Sequence, residues 1–235
     1  MKIEEATDTI AKFFNDLIGA CVPGTVLAVG MALMHLGPTQ LQSMLELGDS
    51  TAVALTFAGI LFAIGHALLA LHEQVLMNPL AKFKIVKTFD EDEAQKRQSY
   101  EWFAELVRAQ QTASSAKNWG YSDLRSVALS VSTEAASMGR RFMFIRLLCN
   151  GVGTALAIIA IDFAACSLLS PKLLFAYGDA APWPAQTLLL MGLAVALFKH
   201  GEVFFNRAMT TPFSIAVAEL SFNKDADASK VTTDP

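Results

Sequence analysis

Residues 51–71 read TAVALTFAGILFAIGHALLAL, a run without a single charged side chain. A helix rises about 1.5 Å per residue and the hydrocarbon core of a bilayer is about 30 Å thick, so about 20 apolar residues can cross it. This run therefore predicts a membrane-spanning helix. Three further apolar runs, residues 17–36, 147–169 and 185–205, are of similar length, the last only if Lys199 snorkels to the interface.

Composition supports the same class of protein. The chain has 235 residues, 53% of them hydrophobic, and a mean hydropathy of +0.41, which is too apolar for an ordinary soluble domain. The acidic N-terminal segment is unlike a secretory signal, so we expect no cleavage. Cys21, Cys149 and Cys166 all fall in predicted spans and are interpreted as small packing residues, with no disulfide framework and no metal-ligand spacing. The predicted fold is an all-α polytopic membrane protein with four transmembrane helices.

The placement of Lys and Arg predicts the topology. More than half of these residues lie between Glu73 and Arg141, none lies between Gly37 and Ser50, and only Lys172 lies in residues 171–184. Basic loops stay on the cytoplasmic side of a membrane. We therefore expect both termini and the central segment to lie in the cytoplasm.

The chain is predicted to consist of two helical hairpins with a soluble insert between them. Residues 1–72 hold an N-terminal segment and spans near 17–36 and 51–72; residues 73–141 form a cytoplasmic helical insert; residues 142–206 hold spans near 142–169 and 183–205; residues 207–235 form a cytoplasmic tail. The polar stretch from Asn223 to Pro235 is predicted to be disordered.

Two helices are expected in the insert. Asp90 opens the first, whose Trp102, Phe103, Leu106 and Val107 can form an apolar stripe. Ser122 is predicted to cap the second, which is expected to run without a Gly or Pro stop to Met138, with direct continuation into the third span left open. Its many Ser and Ala residues suit a contact between identical subunits, or a solvated helix on its own domain.

The third span carries the polar residues of greatest interest, Asp162 and Asn150. An intramembrane carboxylate is costly to desolvate, so it is a candidate for a functional group. Three placements of Asp162 are open: it lines a pore or cavity, it is hydrated at the outer interface, or it pairs with a neighbouring helix.

The first two spans also contain candidates. His66 can form a hydrogen bond between helices or line a pore, because it must find a partner or water. The Pro23-Gly24 pair is either a packing kink or a hinge or constriction in a pore. We expect His35 and His72, at span ends, to touch only lipid headgroups.

Basic residues near the cytoplasmic ends of the spans are candidates for contact with anionic groups. The alternation of basic and apolar residues in KFKIVK, residues 82–87, suits lipid headgroups, or phosphates with a stacked base. Arginines at the start of the third span suit interfacial anchors. The candidates are Lys82, Phe83, Lys84, Lys87, Arg140, Arg141 and Arg146.

The sequence does not favour an enzyme. It lacks a Walker loop, a dinucleotide fingerprint, a His-Glu-x-x-His site and a Gly-x-Ser-x-Gly elbow. An intramembrane hydrolase built from His66, Asp162 and Ser167 is conceivable, but nothing in their spacing requires them to converge. No cofactor and no metal are expected.

One resemblance bears on function. The order LIG at 17–19, PG at 23–24, IGH at 64–66 and RLL at 146–148 resembles small bacterial four-span membrane proteins of anti-phage loci, a family that includes the membrane effectors of the Hailong system. The resemblance implies a homo-oligomeric ion-conducting effector of the bacterial inner membrane, gated by a nucleic-acid or nucleotide signal that a partner nucleotidyltransferase makes. An oligonucleotide is one such ligand. No residue role is carried over from it.

Two functions therefore compete. The first is an oligomeric channel or pore-forming effector in the lipid bilayer, because four spans alone are too few to enclose a wide pathway. The alternative is a non-conducting membrane adaptor or scaffold that recruits a cytoplasmic partner. A small secondary transporter would be expected to show inverted repeats and more intramembrane polar residues.

Overall fold

The structure, a computed structural model, describes residues 3–46, 51–110, 119–177 and 181–231. Within these ranges the chain is helical and has no strand, which confirms the all-α class. The helices are α1 (Ile3–His35), α2 (Pro38–Glu46), α3 (Thr51–Leu71), α4 (Met77–Lys82), α5 (Glu91–Gln95), α6 (Gln98–Gln110), α7 (Tyr121–Val131), α8 (Thr133–Leu169) and α9 (Trp183–Val231).

Four of the described helical segments are long and apolar enough to cross a membrane, as the sequence predicts. A π-helical turn, His72–Leu76, joins α3 to α4 without a break, so the second candidate is longer than the apolar run alone. Helix α9 continues through Lys199, which meets the condition set for the fourth span. The candidate spans are Leu17–His35, Thr51–Lys82, Thr133–Leu169 and Trp183–Ser221.

The chain divides into two compact units. The first unit comprises Met1–Lys87 and Phe144–Glu202, and the second comprises Thr88–Met143 and Val203–Pro235. Residues 73–87 therefore group with the spans and not with the insert in which the sequence places them.

The predicted C-terminal tail is helical as far as it is described. Helix α9 continues to Val231, so the prediction of disorder from Asn223 onward is wrong for those residues. No Gly or Pro follows Pro212 within the helix, so no residue there interrupts the backbone hydrogen bonds. Residues 232–235 lie outside the described residues.

In the first unit, glycines let helix backbones touch. A Cβ atom added to Gly24 of α1 would overlap the Leu61 carbonyl of α3, and one added to Gly65 would overlap the Ala20 carbonyl. Only residues without a side chain permit such an approach, which is how spanning helices pack closely. Helices α1 and α3 therefore meet backbone to backbone.

Helix α8 packs beside α1 and runs in the same direction. A Cβ atom added to Gly19 of α1 would lie 3.4 Å from the Phe144 ring of α8. Further along both helices, a Cβ atom added to Gly151 of α8 would lie 2.5 Å from the Pro23 ring of α1. The C-terminal ends of α1 and α8 are consequently at the same end of the first unit.

The second unit has an aromatic core. Phe103, Tyr121 and Phe213 are 0%, 2% and 1% exposed, and the rings of Tyr121 and Phe213 pack edge to face with centroids 5.3 Å apart. The single helix predicted to open at Asp90 is divided into α5 and α6. Of its predicted apolar stripe, Phe103 enters this core, whereas Trp102 is 52% exposed.

Side-chain caps mark the starts of α5 and α8. The Asp90 carboxylate accepts a hydrogen bond from the Glu93 N–H at 3.0 Å, as predicted. Ser122 is not the cap of α7, because that helix begins at Tyr121. The predicted continuous helix is also wrong: the chain breaks at Ser132, whose hydroxyl accepts from the first turn of α8 at 3.0 Å.

A proline in α9 is accommodated by side chains from α7. Pro212 has no N–H, so the Ala208 carbonyl four residues earlier loses its helical donor. The Arg125 guanidinium donates to that oxygen from Nε at 3.3 Å and from Nη2 at 3.1 Å. The Tyr121 hydroxyl donates to the adjacent Met209 carbonyl at 3.0 Å. Burial lowers the pKa of Arg125 and raises the pKa of Tyr121 to about 12.

Candidate functional site

The connection between α8 and α9 is fastened to the end of α1. The Phe175 N–H donates to the Met34 carbonyl at 2.9 Å, and the Tyr177 hydroxyl donates to the Leu33 carbonyl at 2.7 Å. These are carbonyls of the last turn of α1, which have no partner inside the helix. The connection therefore caps the helix and is held in place by it.

His35, the last residue of α1, contacts both this connection and α8. Its Nδ1 lies 2.9 Å from the Leu173 carbonyl oxygen, and its Nε2 lies 2.8 Å from Asp162 Oδ2. The side chains of His35 and Asp162 are 26% and 33% exposed. The expectation that His35 touches only headgroups is wrong, because residues far apart in sequence meet here. Of the three placements considered for Asp162, the structure shows the pairing with a neighbouring helix.

The hydrogen bonds define the protons of this pair. A carbonyl oxygen only accepts, so His35 Nδ1 must carry a hydrogen to bond Leu173. A short contact between Nε2 and a carboxylate is a charged hydrogen bond when His35 carries a second proton. His35 and Asp162 therefore pair across α1 and α8.

Cys166 completes a cluster of three metal-ligating residue types. It follows Asp162 by one helical turn, and its Sγ lies 3.9 and 4.0 Å from the two carboxylate oxygens. One donor atom from each of His35, Asp162 and Cys166 lies within 4.8 Å of the others. The spacing of Asp162 and Cys166 on one helix face was readable from the sequence, but their partner lies 127 residues from Asp162.

A groove opens beside this cluster. It has a volume of about 770 Å³ and lies between α1, α8, the connection and the start of α9. Its walls are mainly aliphatic and aromatic, with a few polar groups such as Thr25, Ser167 and Gln186. A groove of this volume and mainly apolar lining can hold an apolar small molecule or an acyl chain.

The other predicted pore residues are mostly buried between helices. Asn150 is 5% exposed, and an atom added to Gly201 of α9 would lie 2.5 Å from its side-chain oxygen. Pro23 and Gly24 are buried against α8 and α3. In the single chain these three residues pack helices together.

His66 differs from them because it is exposed. Its ring packs edge to face on Phe62, with centroids 4.4 Å apart, and the rest of it faces outward from α3. It belongs to a row of exposed small and polar residues separated alternately by four and three positions. We call this row the α3 stripe: Ala52, Thr56, Gly59, Ala63, His66, Ala70 and Glu73.

His72 is buried, so the expectation of headgroup contact is wrong for this residue too. It is 1% exposed and lies in the π-helical turn. Its Nδ1 is 3.4 Å from the Thr154 hydroxyl, and its ring is 5.0 Å from that of Phe198, centroid to centroid. Residues of α8 and α9 thus enclose it, and the turn positions it there.

The predicted basic residues belong to different units. Lys82, Phe83, Lys84 and Lys87 lie in the first unit, where Phe83 is 73% exposed and the three lysines are exposed. Val86, 7% exposed, anchors this segment in an apolar cluster with Phe198. Arg146 lies half-buried in the same unit, whereas Arg140 and Arg141 are exposed in the second unit.

The four apolar helices place the chain among the polytopic α-helical membrane proteins. No protein family, curated protein or solved structure matches it.

Proposed function

We propose that the chain is the subunit of a homo-oligomeric membrane channel, and that the α3 stripe faces the other copies around the conducting pathway. The observation that carries the proposal is the exposure of the His66 imidazole on a helix that is otherwise uncharged and mainly apolar. Removing an imidazole from water without a partner is costly. Ionisable side chains within spans therefore face protein or a water-filled cavity.

The composition of the α3 stripe supports a contact between helices. Its alternation of four and three positions is the 3.5-residue period of a left-handed helix seam. Small residues such as Gly59 and Ala63 let a second helix approach closely. The same face carries the polar side chains of Thr56, His66 and Glu73. A helix face that contacts both neighbouring subunits and water needs such groups.

A gating signal could reach the α3 stripe through one helix. Thr51–Lys82 is a single helical segment through the π-helical turn, so its lysine-bearing end is continuous with the stripe. Exposed Lys82, Phe83 and Lys84 suit a phosphate-bearing ligand, such as the oligonucleotide that the family resemblance implies. Anionic lipid headgroups would bind the same lysines.

A matched pair of substitutions on α3 tests the proposal. Ala63 lies in the stripe, and exposed Ala54 lies half a turn around the helix from it. Ala63→Leu should reduce single-channel conductance in planar bilayers and the oligomer mass in mild detergent, because the added side chain separates the packed helices. Ala54→Leu should leave both at the wild-type values.

Two results contradict the proposal. Equal effects of Ala63→Leu and Ala54→Leu would show that the α3 stripe is not the contact. An intact wild-type oligomer that carries no current would instead favour the adaptor function.

A further inference from the structure

The cluster of His35, Asp162 and Cys166 has the chemistry of a metal site. We infer that these three side chains bind a borderline-soft divalent cation, Zn²⁺, at the end of the first unit where α1 and α8 terminate. This goes beyond the proposed function, because the site needs neither conduction nor a second copy.

Two of the three donor atoms, His35 Nε2 and Asp162 Oδ2, face each other closely. The Leu173 carbonyl fixes a hydrogen on His35 Nδ1, so the Nε2 lone pair points at the Asp162 carboxylate only 2.8 Å away. Two acceptors at this distance need a proton or a metal ion between them. The structure thus presents a site that a metal can take over from a proton.

The distances among the donors are close to those of a zinc site. In a tetrahedral site, with Zn–N and Zn–O bonds of about 2.0–2.2 Å and Zn–S of about 2.3 Å, neighbouring ligand atoms lie about 3.3–3.6 Å apart. The nitrogen and oxygen at 2.8 Å would separate slightly, and the sulfur at 3.9 Å would move inward. Each change is within the reach of a half-exposed side chain.

The identity of the donors selects the ion. An imidazole nitrogen and a thiolate favour Zn²⁺ over Mg²⁺ or Ca²⁺, which prefer oxygen. A protein ligand set of three leaves a fourth position for water, as in open zinc sites. The Leu173 carbonyl supplies the outer hydrogen bond that orients a ligating histidine.

The site is accessible and joins separate parts of the first unit. His35 ends its helix, and His35 and Asp162 are 26% and 33% exposed, so the first unit does not enclose the donors completely. Binding displaces the proton between Nε2 and Oδ2 and the proton of the Cys166 thiol, both of which pass to solvent. The ion then links α1 to α8, and through Leu173 it fixes the connection that borders the groove.

Cobalt substitution tests the site in the purified full-length protein. After chelator treatment, added Co²⁺ should produce intense visible bands of a four-coordinate ion and a thiolate-to-metal charge-transfer band in the near ultraviolet. Zn²⁺ should bleach both. Cys166→Ser should abolish the charge-transfer band, and His35→Gln should weaken Co²⁺ binding at least about tenfold. Cys149→Ser is the matched control and should retain the spectrum.

The near-isosteric cysteine variants keep the test decisive even if His35→Gln fails to fold. A charge-transfer band that survives in Cys166→Ser overturns the assignment. So does a wild-type protein that shows only the weak spectrum of six-coordinate Co²⁺, which indicates adventitious carboxylate binding.

Discussion

Replacing Arg125 by Met should destabilise the second unit by removing the donors to one carbonyl. Met keeps an unbranched chain of similar length but cannot donate a hydrogen bond. The two bonds to Ala208, at 3.3 and 3.1 Å, come from a charged group, and Ala208 is 0% exposed. A buried carbonyl left without a donor costs about 1–3 kcal/mol, so we expect a loss of about 2 kcal/mol in unfolding free energy.

A second substitution separates the loss of the hydrogen bonds to Ala208 from the loss of side-chain packing in Arg125→Met. Pro212→Ala restores an N–H four residues after Ala208, so the carbonyl regains a helical donor. In the Pro212→Ala background, Arg125→Met should therefore cost about 1–2 kcal/mol less than in the wild type.

Thermal unfolding in detergent, followed by tryptophan fluorescence, measures this cycle. Trp102 and Trp119 lie in the second unit, and Trp183 in the first unit is replaced by Phe in all four proteins. For a chain of this size about 1 kcal/mol shifts the midpoint by about 2–4 °C, so Arg125→Met should lower it by about 4–8 °C. Equal shifts with proline and with alanine at position 212 would refute the role assigned to Arg125.

Two further predictions follow from polar groups in the two units. Asp162→Asn should lower the unfolding midpoint, because it weakens the contact with His35 that joins α1 to α8. The reversal potential under a salt gradient should stay unaltered, because the carboxylate is paired with His35; a loss of cation preference would place Asp162 in the pathway instead. Burial raises the pKa of Tyr121 to about 12, so the stability that the neutral phenol contributes is complete below pH 10 and is lost as pH rises toward 12. Tyr121→Phe, which loses the bond to Met209, should be less stable than wild type below pH 10 but lose less stability between pH 10 and 12. Parallel stability profiles of the two proteins would contradict this.

Local features of the sequence determined the class of the protein. The length and apolarity of residues 51–71 predict a spanning helix, because crossing a bilayer depends on one segment's own backbone bonds and side chains. The cap at Asp90 was equally readable, since its carboxylate bonds an N–H only three residues away.

Tertiary structure decided the features that depend on contacts between distant residues. Ser132 breaks a Ser- and Ala-rich stretch that local propensity allows to continue as one helix, and its hydroxyl caps α8 from that break. The sequence did not indicate that Arg125 compensates for Pro212. The Ala208 carbonyl, which Pro212 leaves without a helical donor, accepts a hydrogen bond from Arg125 only because α7 lies beside α9.

The candidate sites differ in the same way: some of their features are local to the sequence, and others depend on contacts between distant residues. Asp162 stood out as an intramembrane carboxylate because burying its charge is costly wherever it lies. Its partner was not evident, since His35 is 127 residues away and reaches it only because α1 and α8 end side by side. The exposure of His66 likewise depends on which face of α3 the other helices cover. Hydropathy and capping act along the chain and can be read from it, whereas the pairing of polar groups is set by helix packing across it.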